Sequence, residues 1–186
     1  MRKLIESSFV SLDGVVGSAE TWAMSYFANA ENKQHGFARL LGCDAFLLGR
    51  QTYELLTANG RRSDGDPYYD HVDSLPKYVA STTLPPGTID GTVVGADVVA
   101  AVAALKQQPG KDIMKYGNGA LTRTLVEHDL IDEFVLSIIP VVVGTGRSLF
   151  EGIDMRHLRL ELTGTTRFGN GVVTLSYVPI DVRVPA

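Results

Sequence analysis

The sequence predicts a three-layer α/β/α sandwich with a mixed, mostly parallel sheet that ends in an antiparallel hairpin. Three observations predict it. Apolar runs of strand length alternate with helix-like segments through most of the chain, the pattern of a sheet covered by helices. Two of those runs end in glycine and turn straight into a helix: Ala45-Phe46-Leu47-Leu48-Gly49-Arg50-Gln51-Thr52 and Ile113-Met114-Lys115-Tyr116-Gly117-Asn118-Gly119-Ala120-Leu121. The last two runs are joined by Gly169-Asn170-Gly171, a hairpin signal.

The elements follow in order. Lys3 to Leu12 reads as a first strand, ended by Asp13-Gly14. Between Trp22 and Leu41 the second half is helical, with Phe37, Leu40 and Leu41 on one face. Asp44 to Leu48 is a strand, and Thr52 to Leu56 begins a helix. Gly60 to Asp73 is polar and rich in breakers, so it reads as a mobile surface loop. Lys77 to Ser81 and Thr92 to Val94 are short strands. Asp97 is a plausible N-cap for a helix over Val98 to Gln107, stopped by Pro109-Gly110. Ile113 to Tyr116 is a strand, Ala120 to Glu127 a helix, and Phe134 to Val143 a long apolar strand. Leu158 to Phe168 and Val172 to Val178 form the closing hairpin. No linker or repeat divides residues 1–186, which are expected to form one domain.

Composition narrows the function classes. Apolar residues make up 45% and charged residues 20%, ordinary values for a soluble globular protein. A net charge of −4 argues against a general nucleic-acid or anionic-membrane binder. Cys43 is the only cysteine, so no internal disulfide forms; its apolar neighbours mark it as a buried structural thiol. Neither a signal-type apolar stretch nor a run of ~20 apolar residues is present, so a cytoplasmic location is expected. The four histidines are scattered without metal-type spacing, and no metal is expected.

The chemistry gathers where strands run into helices. In open α/β sheets, ligands bind at the carboxyl ends of the strands. A helix start offers free backbone N–H groups and partial positive charge, a seat for phosphate. Two such seats in one small domain suggest a ligand with more than one phosphate. Arg50 could grip a phosphate in two-pronged fashion, and Thr52 could cap the helix or donate to the same phosphate. Equally, Gly49 is a tight turn, Thr52 a cap and Arg50 a solvated side chain. Gly117-Asn118-Gly119, with Ala120 and Leu121 starting the helix, is a second cradle or a close-packed turn. It is too short for the dinucleotide fingerprint of the common doubly wound fold. Ser81-Thr82-Thr83 closes a strand where hydroxyls could meet a phosphate or ribose, or simply form a turn. Asp13 could orient or protonate a substrate nitrogen, or form a turn with Gly14. Gly144-Thr145-Gly146 lines a pocket or makes a turn. Asp129, Asp132 and Glu133 read as a solvated acidic loop.

Taken in order, these segments resemble the dihydrofolate reductase-like superfamily, and within it the reductase domain of the riboflavin-biosynthesis deaminase-reductase and its stand-alone relatives. The matching pieces are Ser11-Leu12-Asp13-Gly14, Leu48 to Glu54, Lys77 to Ser81, Tyr116 to Gly119, Leu130 to Glu133, and Pro140 to Gly146 with Leu149-Phe150. The resemblance implies a dihydrofolate reductase-like fold and NADPH as hydride donor. Gly49, Arg50 and Thr52 would hold phosphates, with Arg50 near the adenosine 2′-phosphate. Ser81 and Thr82 would lie along the adenine-ribose half, and Gly117, Asn118, Gly119 and Leu121 would take the pyrophosphate. Asp13 would stand near the nicotinamide as acid or orienter, with water as the other proton donor. Trp22, Tyr53, Pro140 and Gly144 would line the substrate pocket. Relatives of this type are commonly homodimers.

Three departures qualify the resemblance. Counting back from the Gly-Arg turn puts Lys33, beside Glu31 and Asn32, where dihydrofolate reductases carry their pterin-binding acid. That argues against folate. Asn118 separates glycines that are usually adjacent. The zinc motif of the deaminase half is missing, so this is not the complete bifunctional riboflavin enzyme. The expected activity is an NADPH-dependent reductase acting on a small heterocycle, pyrimidine- or pterin-like. A non-catalytic NADP(H)-binding or sensing protein of the same fold is the alternative, and a structural module the third.

Overall fold

In the computed structural model, which describes residues 1–58, 65–153 and 158–180, eight strands form a single sheet. They are β1 Leu4–Ser11, β2 Cys43–Gly49, β3 Lys77–Ala80, β4 Thr92–Val94, β5 Asp112–Tyr116, β6 Glu133–Ile139, β7 Arg159–Arg167 and β8 Val173–Ile180. Their order is β4-β3-β2-β5-β1-β6-β8-β7. The first six run parallel; β8 pairs antiparallel with β6, and β7 with β8. This is the mixed sheet expected, with the hairpin at one edge. The hairpin turn closes through Phe168 N–H to Val172 O at 3.0 Å and Gly171 N–H to Phe168 O at 3.1 Å.

Alternation along each central strand builds a core on both faces. Successive side chains of a strand point to opposite sides. Leu4, Leu47, Ile113, Phe134 and Leu136 therefore join one cluster with Val102, Leu105, Leu125 and Val126 of α6 (Val98–Gln107) and α7 (Ala120–Glu127). Ile5, Phe46, Leu48, Met114 and Val135 join the other with Leu40 of α3 (Ala30–Leu40), Tyr53 of α4 (Arg50–Ala58) and Val72 of α5 (Pro67–Ser74). Fully burying an aliphatic or aromatic side chain stabilises by about 1.5–3 kcal/mol, so this double-sided burial makes the parallel strands the rigid frame. Asp97 caps α6 as expected, its Oδ1 accepting from Ala100 N–H at 3.0 Å.

Several boundaries differ from the sequence reading, each for a local reason. Residues 67–74, expected within a loop, form helix α5; residues 60–64 of that loop lie outside the described residues. Asp66 caps α5 by accepting from Tyr68 N–H at 3.1 Å, and Pro67 takes the first helical position, where its missing N–H costs nothing. Strand β6 ends at Ile139 rather than Val143, because Pro140 has no N–H to continue the ladder. The stretch from Trp22 holds two short helices, α1 Ala19–Trp22 and α2 Met24–Phe27, before α3. Asp132 and Glu133 are not a solvated pair. Asp132 binds the buried Lys106 at 2.5 Å and accepts from Leu4 N–H at 2.7 Å, while Glu133 binds Arg39 at 3.0 Å. No helix among the described residues is long and apolar enough to cross a membrane.

The Asp66 cap also carries an ion pair to Lys33 of α3, whose ammonium lies 5.0 Å from the centre of the Tyr69 ring. Asp66→Ala removes both at once. The expected loss is about 1–2 kcal/mol in urea unfolding, with Asp66→Asn, which keeps the cap, losing under half of it. Equal losses for the two variants would mean that the cap does not hold α5.

Candidate active site

The site lies along the carboxyl ends of the parallel strands. Beta-strand 2 ends at Gly49 and α4 begins at once with Arg50, so Thr52 sits inside the first turn and is not its cap. Arg50 Nε donates to Glu54 Oε1 at 2.6 Å, and its NH1 donates to Thr83 Oγ1 at 2.9 Å. Ser81 Oγ accepts from Thr83 N–H at 3.2 Å and Leu84 N–H at 3.1 Å, and lies 3.4 Å from Thr83 Oγ1. Arg50, Ser81 and Thr83 thus gather at the ends of β2 and β3. Thr82 is exposed and makes no side-chain hydrogen bond among the described residues. Thr83, the last residue of the Ser-Thr-Thr run, is the one that meets Arg50.

The neighbouring end of β5 forms the second cradle. Gly117 has φ +79°, and a Cβ there would stand 2.2 Å from Thr52 Oγ1, so α4 packs directly on the turn. Beneath it is a buried polar network. Lys115 Nζ donates to Glu6 Oε2 at 2.5 Å, Gly117 O at 2.5 Å and Thr122 Oγ1 at 2.8 Å, and Ser8 Oγ donates to Glu6 Oε1 at 2.7 Å. Gly119 N–H donates to Thr122 Oγ1 at 3.4 Å. Above the turn stands Arg147, its guanidinium 3.3 Å from where a Gly119 Cβ would lie. Asn118 Nδ2 is buried without a partner among the described residues. The Leu121 side chain packs against the core, which leaves only its backbone at the helix start. A glycine turn at a helix start, with an amide donor and a guanidinium that have no partner among the described residues, suits a diphosphate. Neither Lys115 nor Arg147 stands out in the sequence. Lys115 looks like one residue of a strand, and Arg147 lies 28 positions beyond Gly119.

The Gly117 turn borders a cavity of about 980 Å³ between the sheet and helices α1 to α5, which the Arg50 cradle meets through Glu54, the partner of Arg50. Thr52, Gly117, Asn118 and Trp22 line it, as does Arg147. The wall also includes Ser7, Ser8 and Phe9 of β1, Asn32, His35 and Arg39 of α3, Tyr68 and Tyr69 of α5, and Tyr116. Three residues expected in the substrate pocket lie elsewhere. Tyr53 is buried behind the wall, its hydroxyl 3.5 Å from Asp90 O. Pro140 packs on the hairpin turn, 3.4 Å from where a Gly171 Cβ would stand. Gly144 is held by Asp13 outside the cavity. Lys33 points away to Asp66, whereas its neighbour Asn32 lines the cavity.

Asp13 is a brace. Its carboxylate accepts from Ser11 Oγ at 2.6 Å, Val143 N–H at 3.1 Å and Gly144 N–H at 2.7 Å. These bonds, Ser11 foremost, favour the charged form and hold its pKa at about 2. Elsewhere burial dominates. It pushes Tyr68 up to about 12 and Tyr116 well above its usual value, so their hydroxyls, 3.1 Å apart, stay protonated. It also pushes the Cys43 thiol up to about 12, which makes an inert packing residue of it. Burial and then Arg39 hold His35 below its usual value.

Two outcomes follow from this geometry. Lys115→Met strands Glu6 in a site where both partners are at most 1% exposed, and is expected to cost about 3–5 kcal/mol in urea unfolding. Glu6→Leu combined with Lys115→Met should cost less than either change alone; a double loss equal to the sum would deny the pairing. Because Asp13 is depressed from 3.8 to about 2, its bonds to the 143–144 turn are complete above pH 3.8 and are lost as pH falls through about 2. The Gly144 amide resonance should titrate with that low midpoint, and a midpoint near 3.8 would remove the brace.

The comparisons with known proteins agree with this architecture. The RibD C-terminal domain model matches residues 2–174. The uncharacterized protein YyaP of Bacillus subtilis is 31% identical over 184 residues, 95% of this chain and 94% of YyaP. Three solved structures share the fold. A putative riboflavin biosynthesis protein from Shewanella sp. PV-4 has a TM-score of 0.74 at 24% identity, covering 96% of this chain and 99% of its own. A pyrimidine reductase-like protein from Corynebacterium diphtheriae has 0.71 at 15%, covering 97% and 92%. Dihydrofolate reductase from Enterococcus faecalis, complexed with NADP(H), has 0.63 at 16%, covering 96% and 97%. The residues matched span nearly the whole chain, and it belongs to the RibD C-terminal domain family, with a dihydrofolate reductase-like fold.

Proposed function

We propose that this chain is an NADPH-dependent reductase acting on a small pyrimidine- or pterin-like heterocycle. One observation carries the reading. Two phosphate-type cradles, Arg50 with Ser81 and Thr83, and Gly117 to Gly119 with Arg147, stand on adjacent strand ends; Gly117, Asn118 and Arg147 line the cavity, and the first cradle meets it through Thr52 and Glu54 of α4. A family of reductases and a fold neighbour complexed with NADP(H) support the same cofactor.

NADPH, when bound, supplies the hydride. Arg50 and the Ser81–Thr83 hydroxyls would hold the 2′-phosphate end. The Gly117–Gly119 turn, the first N–H groups of α7 and Arg147 would hold the diphosphate. Lys115 and Thr122 keep that turn in shape from below. Asp13 orients the 143–144 turn, and Trp22, anchored by Nε1 donating to Gly17 O at 2.9 Å, closes the cavity wall. With Asp13 ionised and Tyr68 and Tyr116 held protonated, water delivers the proton. The engagement of Asp13 as a brace rather than a free acid favours a second reading, a non-catalytic NADP(H) sensor. Steady NADPH oxidation with a pyrimidine or pterin would separate the enzyme from the sensor.

Cofactor binding is tested by thermal shift with NADPH and NADH. NADPH should bind more tightly. Arg50→Ala should weaken NADPH by about 10- to 100-fold, as for loss of a charge-assisted hydrogen bond, and leave NADH nearly unchanged. No stabilisation by either nucleotide at millimolar concentration would sink the assignment. Equal weakening of both would move Arg50 away from the 2′-phosphate.

A further inference from the structure

We propose that Asn32 and His35, one turn apart on α3, form an uncharged hydrogen-bonding edge that selects the substrate by a neutral lactam edge, a ring carbonyl beside a ring N–H. This rests on reading the cavity as the substrate site of a reductase. Helix α3 turns Asn32, His35, Gly36 and Arg39 to the cavity, and none is a carboxylate. Arg39 is already engaged. Its NH1 donates to Glu133 Oε1 at 3.0 Å, its NH2 to Ser176 Oγ at 2.6 Å, and its Nε to His35 Nε2 at 3.3 Å.

That last bond fixes the imidazole. Arginine only donates, so Nε2 accepts and the ring proton sits on Nδ1. Burial and the Arg39 charge both disfavour a second proton. Nδ1–H makes no hydrogen bond among the described residues, so this cavity-lining residue carries a free neutral donor. One turn earlier, Asn32 Oδ1 is buried and has no hydrogen-bond partner among the described residues. A buried acceptor left unpaired is unfavourable, and the last torsion of asparagine is soft, so the carboxamide can turn to meet a ligand.

The chemistry of the edge follows. A carboxamide pairs with a lactam through two N–H···O bonds, donating one and accepting the other. A carboxylate accepts only, and its two-pronged partner is a cationic amidine edge, as on a protonated 2,4-diaminopyrimidine. Two carboxylates do line the cavity. Glu54 is paired with Arg50, and Glu20 is exposed on α1. Neither stands on α3 beside Asn32.

The test uses the full-length chain at pH 6, with uracil and 2,4-diaminopyrimidine as probes in NMR titrations, run with and without NADPH. The wild type should favour uracil by roughly tenfold or more, and Asn32→Asp should invert that preference. Asp at the third position of α3 suits the helix N-terminus, so the variant should keep its Tm. His35→Phe should weaken uracil several-fold without favouring the diamine. A preference unchanged by Asn32→Asp, a preference governed by Glu20→Gln, or no binding of either pyrimidine would overturn the inference. If NADPH fails to bind while the pyrimidines follow this pattern, the cofactor reading falls and the inference stands. If NADPH binds and the pattern fails, only the inference falls.

Discussion

The buried contact between Lys115 and Glu6 governs the working end of this molecule. Strands β1 and β5 are neighbours in the middle of the sheet, and the two charges sit on them with at most 1% exposure. A buried ion pair is rarely a net gain over a well-packed apolar pair, because both charges lose their water. Its value here is directional. The ammonium has three donors, and all three have acceptors, on Glu6, on the Gly117 carbonyl and on Thr122. A strand, a turn and the first coil of α7 are tied to one point. An apolar pair would fill the space and leave the turn free to move.

From that anchor the site extends sideways along the strand ends. Thr52 packs on Gly117 and brings α4 against the turn, and Arg50, two residues earlier, reaches across to Thr83. The two cradles are thus mechanically connected through a single helix start. On the other flank, Asp13 ties the end of β1 to the 143–144 turn, which leads into Arg147 above Gly119. Rigid strands carry the residues that must be placed accurately, and loops fixed by a few strong hydrogen bonds carry the rest.

What was readable in the sequence follows from how local each signal is. The hairpin at Gly169-Asn170-Gly171, the cap at Asp97 and the glycine turns after β2 and β5 depend on neighbours within a few residues, and each is where the pattern put it. Helix α5 escaped because its sequence, Pro-Tyr-Tyr-Asp-His-Val-Asp-Ser, is polar and follows a breaker-rich stretch; its signal was the Asp66-Pro67 start. Lys33 and Asn32 differ by one position, yet one residue is 100° around a helix, enough to move a side chain from the cavity to an ion pair on its rim. Arg147 and Thr83 reach the site only through tertiary contacts with Gly119 and Arg50, which no spacing rule encodes. Asp13 was visible as a residue, but its role depends on Val143 and Gly144, 130 positions away.

The charge balance around the cavity links these pieces to selectivity. Glu6 is matched by Lys115, Glu54 by Arg50, Glu133 by Arg39, and Asp13 by backbone N–H groups and Ser11. Of the charged side chains that line the cavity, this leaves Arg147 at the Gly119 turn and Glu20 on α1 without a partner among the described residues. An unpaired cation above a helix start favours an anion there, and it does so most strongly where water is partly excluded. The α3 wall, lined by a carboxamide, a neutral imidazole and an Arg39 already paired with Glu133, offers no such unpaired charge. On the proposed reading, a ligand charged at one end and neutral at the other would be oriented by this contrast, its anionic part toward Arg147 at the Gly119 turn and its uncharged ring toward α3.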